Sequence, residues 1–215
     1  MSDWTDKHVR VFISHHSSQK SSASLLKSAL ETIGCTGFVA HEDIEPTHAW
    51  VTVIQDRLNS MDVLVGLVDE KFNSSAWCLQ EVGWALGRQI PVYCIALHDH
   101  VSSTGFAGQT QDFKRVGKTS DERLANFIDQ LTHKLISDPH HNQILRKFFI
   151  NELLLSYSFE RTNTVISKLR LFSDYDDEDR ASVISTYNAN HQVRHCHYAQ
   201  SKLADILSIS NFKQT

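Results

Sequence analysis

The chain has 215 residues, with 21 Lys and Arg against 25 Asp and Glu, a formal charge of −4 and 13 His. A hydrophobic share of 41% with only three Pro and eight Gly excludes disordered, collagen-like and linker-dominated chains. Residues 1–105 carry 7 basic against 12 acidic side chains and residues 106–215 carry 14 against 13, so neither half has the basic surplus of a nucleic-acid binder.

The length suits one domain with an appendage, or two small domains. No apolar run reaches the ~18 residues that cross a bilayer. Met1–Asp6 lacks the basic cluster and apolar core of a secretory signal. The four cysteines (Cys35, Cys78, Cys94, Cys196) form no C-x-x-C pair, so neither a disulfide framework nor a zinc knuckle is written here. The expectation is a protein of the reducing cytoplasm, with no membrane, nucleic-acid or metal partner.

Residues 8–13 alternate and then turn apolar, which predicts a strand, and the polar run Ser14-His15-His16-Ser17-Ser18 predicts a turn after it. Ala23, Leu26, Leu30 and Ile33 fall at helical steps, with Gly34 where a helix stops. Residues 36–40 read as a second strand, 41–48 as a charged loop and 49–59 as a helix. Asp62–Val68 is a nearly continuous branched apolar run, suited to the middle of a parallel sheet. A helix is expected near 76–88 and a fourth strand over 91–97. This alternation predicts βαβ units and a doubly wound sheet, with ligands held outside the carboxyl ends of the strands. The loops at 14–18, 41–48 and 69–76 then share one rim. Residues 98–118 read as irregular and 120–137 as a closing helix. Asp138-Pro139 marks a boundary, because a residue before proline avoids helical geometry. Beyond it only helices are expected, over 140–155, 158–172, 177–188 and 193–208.

The densest chemistry lies in Ser74-Ser75-Ala76-Trp77-Cys78-Leu79-Gln80-Glu81-Val82-Gly83-Trp84-Ala85-Leu86. On a helix, Cys78, Val82, Ala85 and Leu86 are expected to face the sheet. Trp77, Glu81 and Trp84 then share another stripe. One reading is a desolvated carboxylate beside an aromatic platform for a sugar-bearing, ring-bearing ligand; the other is a packed Trp pair with a solvated Glu. Cys78 reads as core rather than as a nucleophile.

Strand 9–13 with the turn from Ser14, the loop Glu42-Asp43-Ile44-Glu45-Pro46 followed by Trp50, the strand 62–68 and the block Ser75–Glu81 occur in the order of Toll/interleukin-1 receptor (TIR) domains, which residues 8–137 resemble. The resemblance implies a flavodoxin-like fold with a five-stranded parallel sheet, its fifth strand near 109–113. It implies a TIR domain over 1–138 and a helical extension over 139–215, like those on bacterial TIR proteins. The family's catalytic glutamate lands on Glu81. It acts on NAD as substrate, without a cofactor, by breaking the nicotinamide–ribose bond. Nicotinamide leaves as a neutral molecule from a cationic ring, and a carboxylate stabilises the oxocarbenium-like sugar. Trp77 would stack on a ring of the substrate. Ser14, His15 and His16 would contact the nucleotide in place of a glycine-rich turn, with solvated turn residues as the alternative for the histidines. Asp43 would gate the site or make an assembly contact, and Trp50 completes the substrate-binding set.

One TIR domain with a short helical tail resembles the signal-making component of a Thoeris-type antiphage system. Its product, a cyclic or conjugated ADP-ribose derivative, would reach a separate effector by diffusion. Self-association of TIR domains is implied, with low activity for isolated protomers. The alternatives are a non-catalytic adaptor acting by TIR–TIR assembly and a nucleoside ribosyltransferase. His191/His195/His197 diverge on a helix and do not read as a metal site. Asp174–Asp179 lacks the glycine and the glutamate of a calcium loop.

Overall fold

A computed structural model of the chain describes residues 4, 6–40, 50–105, 108, 113 and 119–207. Its contacts divide the chain into two compact units, Met1–Thr132 and His133–Thr215.

The N-terminal unit is built on strands β1 (Val9–His15), β2 (Cys35–Phe38), β3 (Val63–Val68) and β4 (Val92–Ala96). They form an all-parallel sheet in the order β2-β1-β3-β4. Helices α1 (Lys20–Glu31), α2 (Trp50–Ser60), α3 (Ala76–Gly87) and α4 (Ser120–Ile136) alternate with or follow the strands. This is a flavodoxin-like α/β fold. Every residue of β3 is buried, as its unbroken apolar run requires for a strand covered on both faces.

Side chains alternate along β1. Val11 and Ile13 point to the face covered by α1, where a Cβ on Gly37 would stand 3.0 Å from Ile13 Cδ1 and 3.1 Å from Lys27 Cγ. Phe12 and Leu64 point to the other face, in one cluster with Ile54 and Leu58 of α2 and Cys78, Val82 and Ala85 of α3. Gly66 is glycine for a steric reason: an added Cβ would come within 3.1 Å of Phe72 Cζ and 3.2 Å of Cys94 Sγ. Gly34, at φ +82°, closes the turn between α1 and β2.

Strand β1 runs two residues further than expected, so Ser14 and His15 are strand residues and not part of a turn. They pair with Gly66 and Leu67 of β3. The expected strand at 109–113 falls mostly outside the described residues. Phe113 is described: its N–H donates to Cys94 C=O at 3.1 Å, and its ring lies 5.4 Å from Tyr93 and 5.0 Å from Phe127 of α4.

The C-terminal unit is helical among its described residues: the end of α4, then α5 (Pro139–Leu154), α6 (Phe159–Leu169), α7 (Asp177–Ala189), α8 (His191–His195) and α9 (His197–Leu207). The single helix expected over 193–208 is two. Cys196, at ψ 111°, breaks the ladder, and Asn190 starts α8 by accepting from the Gln192 and Val193 N–H groups. Inside this unit Arg146 and Asp179 form a buried ion pair, Nε to Oδ2 at 2.5 Å. Asn142 Oδ1 accepts from the same guanidinium at 3.1 Å, and Asp179 closes a capping box with Asp176.

Removing one member of such a pair strands a buried charge. Asp179→Ala is expected to destabilise the C-terminal unit by about 3–5 kcal/mol, and Asp179→Asn, which keeps a capping acceptor, by less. Urea unfolding followed by far-UV circular dichroism measures both.

Candidate functional site

In a doubly wound sheet the chain leaves β1 and β3 in opposite directions where the strand order reverses, and a crevice opens outside their carboxyl ends. In the order β2-β1-β3-β4 that point lies between β1 and β3. Ser14 sits there, opposite Gly66. By alternation its side chain shares the face of Phe12, beneath α3.

Helix α3 begins at Ser75, whose hydroxyl accepts from the Cys78 N–H at 3.4 Å. The expected stripes need correction. Glu81 lies about 40° around the helix from Trp77 and about 60° from Cys78, and it falls on the sheet side. It is buried with Cys78, Val82 and Ala85, keeping 7% of its surface. Trp84 turns instead toward α2, where its Nε1–H donates to Asn59 Oδ1 at 3.2 Å. Leu86 is only partly buried. The carboxylate is therefore not flanked by two indoles.

Glu81 accepts a hydrogen bond from Ser14 Oγ, 2.5 Å from Oε2. Burial pushes its carboxyl up to about 7, and the Ser14 hydrogen bond opposes that rise. The group therefore exchanges its proton near neutral pH. Cys78 is fully buried beside it, its thiol raised mainly by burial, in keeping with a core role.

Trp77 is 47% exposed on the same helix, one turn before Glu81, and its ring lies 4.9 Å from that of Trp50 at the start of α2. The aromatic platform thus pairs Trp77 with Trp50, not with Trp84. His15 is buried, its Nδ1 3.2 Å from the Ile13 carbonyl. His16 caps the short turn Ser17–Gln19, its Nδ1 accepting from the Ser18 N–H at 3.2 Å. Asp43 lies outside the described residues.

Sequence reading missed Asp69. It follows β3 directly, is 2% exposed, and joins the segments that leave β1 and β3. Its Oδ2 accepts from Ser18 Oγ at 3.0 Å and Gln19 Nε2 at 3.1 Å; its Oδ1 accepts from the N–H groups of Lys71 and Phe72 at 3.0 and 2.9 Å. Burial works against its ionisation, but these four bonds outweigh burial and hold its carboxyl below the usual range. An acidic residue abutting a buried strand was the available signal. Next to it, Glu70 faces His100 Nε2 at 2.9 Å and His98 Nε2 at 3.8 Å, which joins the ends of β3 and β4.

Among the described residues no group of three or more His, Cys, Asp or Glu is placed to hold a metal ion, and no helix is long and apolar enough to cross a membrane. A cleft of about 570 Å³ within the C-terminal unit, lined in part by Lys147, Ile150, Leu154, Asp179 and Ser182, contains none of the candidate site residues of the N-terminal unit.

Fold and site define a flavodoxin-like α/β domain with a buried carboxylate, Glu81, bonded to Ser14 where the strand order reverses. The TIR domain family model matches residues 11–131, more than half of the chain, and the chain belongs to that family. Comparison with curated proteins gives no match.

Because the carboxyl of Glu81 is raised in the fold, its burial favours the protonated form. The stability it contributes is complete below about pH 4.5 and is lost as pH rises through about 7. Glu81→Gln is expected to be more stable than the wild type at pH 8, by about 1–3 kcal/mol, with the gain gone at pH 4. Melting temperatures across that range measure it.

Proposed function

We propose that this TIR protein cleaves the nicotinamide–ribose bond of NAD, with Glu81 as the catalytic residue. The observation that carries the reading is a buried carboxylate, 7% exposed and held by Ser14 at a strand switch point, one helical turn from an exposed indole pair. Nicotinamide needs little acid assistance to leave. The group that lowers the barrier is an anion beside the developing ribosyl cation, and a partly desolvated carboxylate interacts with that cation more strongly than one in water. Trp77 and Trp50 would hold a ring of the substrate, His15 and His16 at the end of β1 would contact the nucleotide, and Asp43 would gate the site or make an assembly contact. The ribosyl cation, captured by water, by an atom of the same nucleotide or by an outside nucleophile, gives ADP-ribose or a cyclic or conjugated derivative. In this reading residues 1–138 are the catalytic domain and 139–215 a helical extension. The protein works in the cytoplasm, self-associates through its TIR domain, and sends its nucleotide to a separate effector in a Thoeris-type antiphage response.

The rival reading, a non-catalytic adaptor, draws on the apolar surface of Trp50, Trp77 and Leu79, which are 39%, 47% and 44% exposed. It requires concentration-dependent oligomers and no turnover.

Nicotinamide release from NAD, followed by chromatography under oligomerising conditions, separates the two. Glu81→Gln is expected to lower the rate by about 10²–10³-fold, the scale of one preorganised electrostatic group. Equal rates in variant and wild type would sink the enzyme reading. The active form is the anion, so kcat/KM is expected to rise with pH through about 7. Trp77→Ala is expected to raise KM more than it lowers kcat.

A further inference from the structure

We propose that Ser14 is the positioning residue of this site: its hydroxyl fixes the rotamer of Glu81 and holds it as the anion beneath the crevice, so that β1 sets the readiness of a carboxylate carried by α3. The inference rests on Glu81 being the group that meets substrate, but its central measurement does not require turnover. Ser14 is wholly buried in a central strand, its backbone fixed opposite Gly66, and its Oγ lies 2.5 Å from Glu81 Oε2. A hydroxyl has one proton to give. The partner for that proton is Glu81; the Cys78 thiol, also within reach of Ser14 and raised by burial, is a far weaker acceptor than a carboxylate. Among the described residues, the titratable groups nearby are Cys78 on α3 itself and Asp69 at the end of β3, whose charge also reaches Cys78. Neither is a cation. His15, the next residue of β1, alternates to the other face of the sheet. Burial and the Ser14 hydrogen bond are the causes acting on Glu81, in opposite directions.

The test is a pH titration of the full-length protein labelled with ¹³C at glutamate side-chain carboxyls. The Glu81 resonance is identified as the one lost in Glu81→Gln. Ser14→Ala is expected to move its midpoint up by about one pH unit or more, the equivalent of a tenfold loss of anion. Ser14→Thr, which keeps the hydroxyl, is expected to hold the midpoint near that of the wild type. The acid limb of kcat/KM for nicotinamide release is expected to follow the same order. If Ser14→Ala does not give a native far-UV spectrum, Ser14→Cys, a similar volume with a weaker donor, is read in its place. An unchanged or lowered midpoint overturns the proposal. Absence of nicotinamide release from every protein, wild type included, overturns the NAD reading instead and leaves the titration to decide the role of Ser14.

Discussion

A carboxylate placed on the sheet-facing side of a helix must be compensated or neutralised, and much of the crevice in this TIR protein follows from how Glu81 meets that demand. Water would solvate an ionised carboxylate at four lone-pair positions. Among the described residues it receives one neutral hydroxyl, from Ser14, and no cation. One donor softens the desolvation penalty without cancelling it, which leaves a proton affinity near neutrality. A salt-bridged glutamate would be locked as an anion, and a fully exposed one would gain little from preorganisation.

Asp69 shows the other solution a few residues away. It is as buried as Glu81, yet four donors from the segments after β1 and β3 hold it ionised. Two carboxylates near the same strand ends are thus driven apart in proton affinity, one raised chiefly by burial with a single donor, the other lowered by four. The ionised one ties loops together. The one near neutrality is the group that the proposed reaction would use, as an anion beside a forming ribosyl cation. The indoles of Trp50 and Trp77 complete the division of labour: they bring apolar ring area, with exposed faces, to the same helix end.

What could be read from the residues follows from which physical signals are local. The branched run Val63–Val68 announces a fully covered strand, and the Ser75 cap followed by apolar steps announces α3; both were legible because strand burial and helix capping act within a few residues. The resemblance pointed to Glu81 for the same reason, through a short block of fixed spacing. The end of β1 was not legible: Ser14 and His15 are polar, and only their pairing with Gly66 and Leu67, some fifty positions away, makes them strand. Nor was the turning of Trp84 toward Asn59, because the difference of about 60° around the helix between Glu81 and Trp84 separates sheet side from flank and is settled by what α2 offers. Asp69 went unnoticed because its donors come from two loops that tertiary structure alone brings together.

The same accounting explains the side-chain sizes at the switch point. Ser14 is the smallest residue that can deliver a hydroxyl proton from a buried strand position, and the facing strand meets it with glycine, because the space on that side is already filled by Phe72 and Cys94. A residue without a hydroxyl at 14 would leave the carboxylate with no donor among the described residues. Close packing and proton affinity are therefore not separate properties at this position. The core that stabilises the sheet also sets how far α3 stands from β1, and with it both the burial of Glu81 and its hydrogen bond to Ser14, the two causes that act on its proton affinity.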